Sequence, residues 1–269
     1  MNVRSFSLRR QSSPCAPSGR DAARTEEALT REYILATIAD KAFRPVFQPI
    51  VELRLDEIVG YEALTRFNDG ADPEVVFAQA AAIGLGIELE IVTLEACLSA
   101  SRNLPESTWL NLNASPDLIM SREPLLRLIR GSSRHLVVEV TEHTAILDYA
   151  AFRAAVAELG PDVELAVDDA GVGFASLRHI LELSPAFVKL DRWLVKDLQN
   201  DRARQAMIVG LRHFSRATGC RLIAEGIEIE RELTVLQSLD ITLGQGFLVG
   251  HPLTADQVRT PRRLVPCLG

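Results

Sequence analysis

Residues 163–190 read VELAVDDAGVGFASLRHILELSPAFVKL. Val163–Val167 is a short apolar run that ends in the acid pair Asp168-Asp169. Gly171-Val172-Gly173 makes a loop into Ala175–Leu183, a helical segment, and Ala186–Leu190 is a second apolar run with Lys189 close to its end. Two strands joined by a crossover helix run parallel, and both then present their polar residues at the same, C-terminal end.

Working outward, the same unit recurs. Thr108–Asn113 ends in Asn113, Leu136–Val140 carries Glu139, Arg221–Ala224 is followed by Glu225, and Ile241–Leu243 leads into Gly244-Gln245-Gly246. Helices are expected between these runs over Pro73–Ala82, Ile87–Ser101, Pro116–Arg130, Tyr149–Leu159, Asp201–Thr218 and Ile229–Leu239. The first two runs, Val46–Leu53 and Glu57–Leu64, stand only a few residues apart. So short a link cannot hold a crossover helix, and this pair is expected to be antiparallel. The predicted fold is α/β: a modified (β/α)8 TIM-type barrel with one antiparallel strand near its start.

Met1 to Arg24 is rich in Arg, Ser, Pro and Ala without periodicity, and residues 1–25 are read as a disordered tail. Residues 26–269 are read as one barrel domain with its motifs over 46–252. An amphipathic helix opens it from Glu26, with Leu29, Ile34, Leu35 and Ile38 at helical spacing.

Composition narrows the function. A chain of 269 residues with 47% hydrophobic content can fill one large core. Its net charge of -7 argues against a nucleic-acid partner, which needs clustered Lys and Arg. Cys15, Cys97, Cys220 and Cys267 lack zinc spacing and suit a reducing compartment, and the five histidines lack ligand pairing. No apolar stretch approaches the roughly 20 residues of a membrane span. Arg9-Arg10 is followed by a polar segment where an export signal needs an apolar one. The expected location is the cytoplasm, with no membrane partner.

In a closed barrel Glu62, Asn113, Glu139, Asp168-Asp169 and Glu225 converge on the C-terminal face, where such barrels do their chemistry. Strand ends also turn polar simply on meeting water, so each acid alone says little. Together, oxygen donors of this kind match Mg²⁺ or Mn²⁺, and an acid pair suits two cations about 3.5–4 Å apart. Adjacent side chains diverge on a continuing strand, so the chain must bend at Asp168-Asp169 for both to serve one site. Lys189 either orients a water or neutralises an acid. Arg66 has the planar fork that phosphate accepts.

Eight motifs now stand in order: Phe47-Gln48-Pro49-Ile50, Glu62-Ala63-Leu64-Thr65-Arg66, Asn113-Ala114-Ser115-Pro116, Glu139-Val140-Thr141-Glu142, Asp168-Asp169-Ala170-Gly171-Val172-Gly173, Lys189-Leu190-Asp191, Ala224-Glu225-Gly226-Ile227-Glu228 and Gln245-Gly246-Phe247. The set resembles the EAL-domain family of cyclic di-GMP phosphodiesterases from about Val46 to Pro252.

The resemblance implies hydrolysis of cyclic di-GMP to linear pGpG with Mg²⁺ or Mn²⁺ at a two-metal site. It implies metal ligation by Glu62, Asn113, Glu139, Asp168, Asp169 and Glu225, with Glu62, Asp168, Lys189 and Glu225 in the catalytic set and Lys189 orienting the attacking water. Gln48, Leu64, Arg66 and Gln245 would face the substrate, with Gln245 also ordering the site. Glu142 would anchor the loop after Asp169, and Glu228 would stand behind the ligands. A receptor that binds cyclic di-GMP without cleaving it is the alternative, and a homodimer is compatible with the resemblance. Ala170 stands where the family usually has Phe, and Val172 where it usually has Thr, removing contact and hydrogen-bonding capacity from that loop.

Overall fold

A computed structural model describes residues 19–140, 146–170 and 174–258 of the chain. Eight strands close into a barrel in sequence order: β1 (Phe43–Glu52), β2 (Glu57–Phe67), β3 (Trp109–Asn113), β4 (Leu136–Val140), β5 (Val163–Ala170), β6 (Phe187–Leu190), β7 (Arg221–Ala224) and β8 (Leu243–Gly244). β1 is antiparallel to both β2 and β8, and every other pair is parallel. The expected fold, with its one reversed strand, is the one observed.

The helices are α1 (Gly19–Asp40), α2 (Pro73–Ala82), α3 (Gly86–Ser101), α4 (Pro116–Ser121), α5 (Glu123–Ile129), α6 (Tyr149–Glu158), α7 (Phe174–Leu183), α8 (Arg192–Val195), α9 (Arg202–Thr218) and α10 (Glu230–Ser238). Their starts follow local chemistry. The Asp72 carboxylate accepts from Glu74 N at the head of α2, and the Ser115 hydroxyl accepts from Leu118 N at the head of α4, each with proline at the first helical position. Asp201 caps α9, and Gly219 ends it in the left-handed region at φ 83°.

Three expectations need correction. The single helix over Pro116–Arg130 is two, because Arg122 takes φ 59° and Pro124 cannot continue the hydrogen-bond ladder of the preceding turn. The opening helix begins at Gly19 rather than Glu26, since Asp21-Ala22-Ala23-Arg24 are adequate helix formers that show no apolar stripe. Glu62 lies mid-strand rather than at a strand end, because β2 runs on to Phe67. Residues 1–18 lie outside the described residues.

Packing separates the inside of the barrel from its coat. One large core joins the outward strand residues Phe47, Tyr61, Leu112, Val138 and Val188 to the helices. A smaller one packs Ile34, Val76 and Leu89 of α1–α3 against Phe43 and Phe67. A third gathers Ile50, Val137, Ala166, Phe187, Ile223 and Leu243 from alternate strand positions and fills the lumen. At Gly60 a Cβ would lie 2.4 Å from the Trp109 ring, so the indole occupies the space that β2 leaves. Burying these side chains stabilises the barrel by about 1.5–3 kcal/mol each.

Candidate functional site

Strand periodicity of two builds the site directly on that lumen floor. Two residues beyond Val137, Ala166, Phe187, Ile223 and Leu243, toward the C-terminal mouth, stand Glu139, Asp168, Lys189, Glu225 and Gln245. On reversed β1 the step runs the other way, from Ile50 to Gln48, whose register partner is Glu62. One apolar plug and one polar group is the local rule on these six strands.

The Lys189 ammonium is the centre of the ring, with its side chain 1% exposed. Nζ lies 2.8 Å from Glu139 Oε2, 2.8 Å from Glu225 Oε1, 3.2 Å from Asp168 Oδ2 and 3.5 Å from Glu62 Oε2. Asn113 Nδ2 donates to Glu62 Oε1 at 3.0 Å. Gln245 Nε2 donates to Glu62 Oε2 at 2.6 Å and to Gln48 Oε1 at 2.9 Å, while Gln48 Nε2 donates to the Gly250 carbonyl at 3.2 Å. A relay of amides from the neighbouring strands β1 and β8 therefore fixes Glu62.

Were all four carboxylates ionised against the one ammonium, three negative charges would stand in excess in a buried space, and burial resists that. Burial opposes ionisation of Glu62, yet Lys189 and the Asn113 and Gln245 amides hold its carboxyl below the ordinary range. Burial carries Glu139 up to about 8, with Glu62 and Asp168 adding to it against the pull of Lys189. Burial also raises Glu225 well above the usual carboxylate range, again helped by the neighbouring acids. Despite its own burial, Lys189 is held protonated by the four acids.

At Asp168-Asp169 the ladder between β5 and β6 slips: Val167 pairs with Val188, and Ala170 with Leu190. Three steps on β5 face two on β6, a bulge that re-aims the chain where both acids need to turn. The register shift falls where the sequence reading places a bend. The side chains of Asp169 and Ala170, and all of Glu142 and Gly171-Val172-Gly173, lie outside the described residues.

The remaining predicted groups divide. Glu62, Leu64 and Arg66 share one face of β2. Leu64 lines a cleft of about 240 Å³ together with Gln48, Glu225 and Gln245, whereas Arg66 sits further toward the rim and donates to its own Thr65 carbonyl at 2.9 Å. Gln48 is buried and committed to Gln245 and Gly250. Glu228 accepts from Arg192 Nη2 at 2.6 Å at the edge of the same cleft.

Two residues escaped the sequence reading. Asn111 is fully buried and its Nδ2 donates to Glu139 Oε1, while its own Oδ1 has no partner among the described residues. The signal was its parity with Asn113 in TWLNLN. Arg192 lines the cleft, and its stem passes over Gly226, where a Cβ would lie 2.4 Å from Arg192 Cγ at φ +66°.

The donor set suits a hard divalent cation: carboxylate and carboxamide oxygens only, excess negative charge, and two acids that retain protons where a cation would displace them. Among the described residues no group of three or more His, Cys, Asp or Glu side chains is gathered at metal-holding distance, because the ammonium stands between the acids. The two described thiols stay out of this chemistry. Cys97 and Cys220 are buried, and burial pushes the Cys97 thiol up to about 12.

Fold and site together define a TIM-type barrel with a lysine-centred ring of acids at its C-terminal mouth. The EAL domain family model matches residues 31–252, and the chain belongs to this family. It is 31% identical over 228 residues to the bifunctional diguanylate cyclase/cyclic di-GMP phosphodiesterase MucR of Pseudomonas aeruginosa, covering 79% of this chain and 33% of that protein. It is 27% identical over 259 residues to a cyclic di-GMP phosphodiesterase, PA2567, of the same organism, covering 87% of this chain and 43% of that protein. The chain thus spans about a third to two fifths of the length of these relatives. Among solved structures, BlrP1 of Klebsiella pneumoniae in calcium and manganese complexes with cyclic di-GMP superposes with TM-scores of 0.71 and 0.72 at 26% identity, covering 80% of this chain and 56% of that one. Among the described residues no helix is long and apolar enough to cross a membrane.

Proposed function

We propose that this chain is a metal-dependent phosphodiesterase that hydrolyses cyclic di-GMP to linear pGpG. The observation that carries the reading is the four-acid ring about Lys189, with Glu62 fixed by Asn113 and Gln245. Glu62, Asn113, Glu139, Asp168, Asp169 and Glu225 would hold Mg²⁺ or Mn²⁺. Bound there, the ions would activate water and offset the charge that grows on phosphorus.

The chain's own groups supply positioning. Lys189 has three N–H donors divided among four carboxylates; once cations take over part of the acids' charge, one donor is free to orient the attacking water. Linear pGpG carries a 5′-phosphate, so the water oxygen bonds to phosphorus while the bond to the 3′ oxygen breaks and that oxygen gains a proton. Gln48 and Gln245 keep Glu62 in place through the exchange. Arg66, Leu64 and Arg192 face the nucleotide around the cleft. The relatives' names and the cyclic di-GMP complexes of BlrP1 support the choice of substrate.

Incubation of purified protein with cyclic di-GMP and Mn²⁺ or Mg²⁺, followed by chromatography for pGpG, tests the reading. Glu62→Ala is expected to abolish turnover, and Lys41→Ala, in the exposed turn just after α1, to preserve it. Tight binding of cyclic di-GMP without product would convert the protein into a receptor.

A further inference from the structure

Glu90 lies on α3, in the coat of helices around the barrel, half-buried and outside every motif that marks the acid ring. Its carboxylate meets the chain just past the end of β3, where Oε2 accepts from the Ser115 backbone nitrogen at 2.8 Å. Ser115 stands two residues beyond Asn113, and Asn113 Nδ2 donates to Glu62 Oε1 at 3.0 Å. A helix of the coat is thereby tied to the ring through one short stretch of backbone.

That stretch leaves the sheet at this point. β3 ends at Asn113, in register with Glu139, and the last bond along its edge runs from Ala114 N to the Glu139 carbonyl at 3.1 Å. Ser115 follows at φ -67° and ψ 152°, and its hydroxyl turns forward to accept from Leu118 N at the head of α4. Among the described residues the acceptor for its own N–H is Glu90. Burial opposes the charge of this acid and carries its carboxyl above the ordinary range, while the bond to Ser115 draws it back. Solvent would suit a glutamate better, and what the half-buried position offers it is the Ser115 N–H.

We propose that Glu90 is a positioning residue for the metal site: through Ser115 it sets the end of β3, and with it the carboxamide of Asn113. This rests on the function proposed above and deepens it, since it names a residue outside the ring on which cation affinity depends. With Nδ2 bonded to Glu62, the Asn113 oxygen is the atom left to meet a cation. Its placement follows from the backbone that Glu90 holds two residues on. A group that touches no cation acts in this way, by orienting the ligand that does.

Mn²⁺ titration of metal-stripped protein, followed by the electron paramagnetic resonance of the unbound ion, tests the role in wild type, Glu90→Ala, Glu90→Gln and Glu95→Ala. Melting temperature is the second readout. Glu90→Ala is expected to bind Mn²⁺ about ten-fold more weakly. Glu90→Gln, whose amide oxygen still accepts from Ser115, is expected to stay within about two-fold of wild type. Glu95→Ala, exposed on the same helix, is expected to match wild type. Should the alanine variant fail to fold, Glu90→Asp, one methylene short of Ser115, supplies the same comparison. Equal Mn²⁺ affinity in wild type and Glu90→Ala, whatever the melting temperature, overturns the positioning role and leaves the phosphodiesterase reading intact. Binding by Glu90→Gln as weak as by Glu90→Ala also overturns it, since the hydrogen bond is then not the cause, and so does an equal loss in Glu95→Ala. No Mn²⁺ binding by wild type overturns the reading of the whole site, and this role with it.

Discussion

The Lys189 ammonium lies 2.8 Å from the Glu139 carboxylate, and the two side chains are 1% and 0% exposed. A charge pair this deep is held by geometry on both sides: β4 and β6 flank β5, and the plug residues Val137 and Phe187 lie two positions below. Removing one member strands the other. Lys189→Met is expected to destabilise the metal-free protein at pH 8 by about 3–5 kcal/mol, and urea unfolding at pH 8 and pH 5 measures it. The loss should shrink at pH 5, where the acids take up protons, and turnover should fall by about 10²–10⁴-fold.

Glu139 is carried up to about 8 by burial, and Glu225 is raised for the same reason. The unfolded chain gives up these protons near the ordinary carboxylic value of about 4.3, while the folded chain keeps them. Between that value and about 8 the folded state binds more protons, so the stability of metal-free protein declines as pH rises through the window. Mn²⁺ held by these acids would displace the protons, one from each, and is expected to flatten the profile. Melting curves from pH 5 to 8 with EDTA and with Mn²⁺ check this. A metal-free melting temperature that climbs over the interval would contradict the assignment.

The architecture was legible because each strand's step from plug to polar group is written in two-residue spacing, as in Val137 to Glu139 and Phe187 to Lys189. The reversed β1 was legible from the short link after Leu53. Less visible was Asn111, whose role depends on which strand brings an acid beside it, Glu139 of β4. The length of β2 was hidden too, since Thr65, Arg66 and Phe67 look like a loop until Pro45, Arg44 and Phe43 of β1 pair with them. Arg192 entered the cleft only through the shape of Gly226. Long-range pairing decided these, and local pattern does not report it.

Arg134 shows how a polar residue outside the site can hold the barrel. Its guanidinium donates to the carbonyls of Ser101, Leu104, Pro105 and Thr108 and to the Thr108 hydroxyl, closing the segment between α3 and β3. Arg134→Met leaves these acceptors without their charged donor and is expected to cost about 3 kcal/mol. The urea midpoint reads the loss, and kcat of the folded fraction should stay within two-fold.

Gly246 follows Gln245, and a Cβ there would lie 2.2 Å from the Ile227 backbone nitrogen. Backbone cannot step aside as a flexible side chain does. Gly246→Ala is expected to shift Gln245 off Glu62, lowering turnover by at least about ten-fold, in proportion to one lost amide-to-carboxylate bond. Steady-state kinetics on the folded variant provide the measurement, and unchanged kcat would show that Gln245 does not need this position.

The most direct test of the central claim is the nucleotide chromatogram of protein stripped with EDTA, incubated with cyclic di-GMP before and after Mn²⁺ is restored. The lysine-centred ring of acids predicts unaltered cyclic di-GMP in the first sample and pGpG in the second. Cyclic di-GMP left intact after Mn²⁺ is restored, or pGpG formed equally in both, would contradict it.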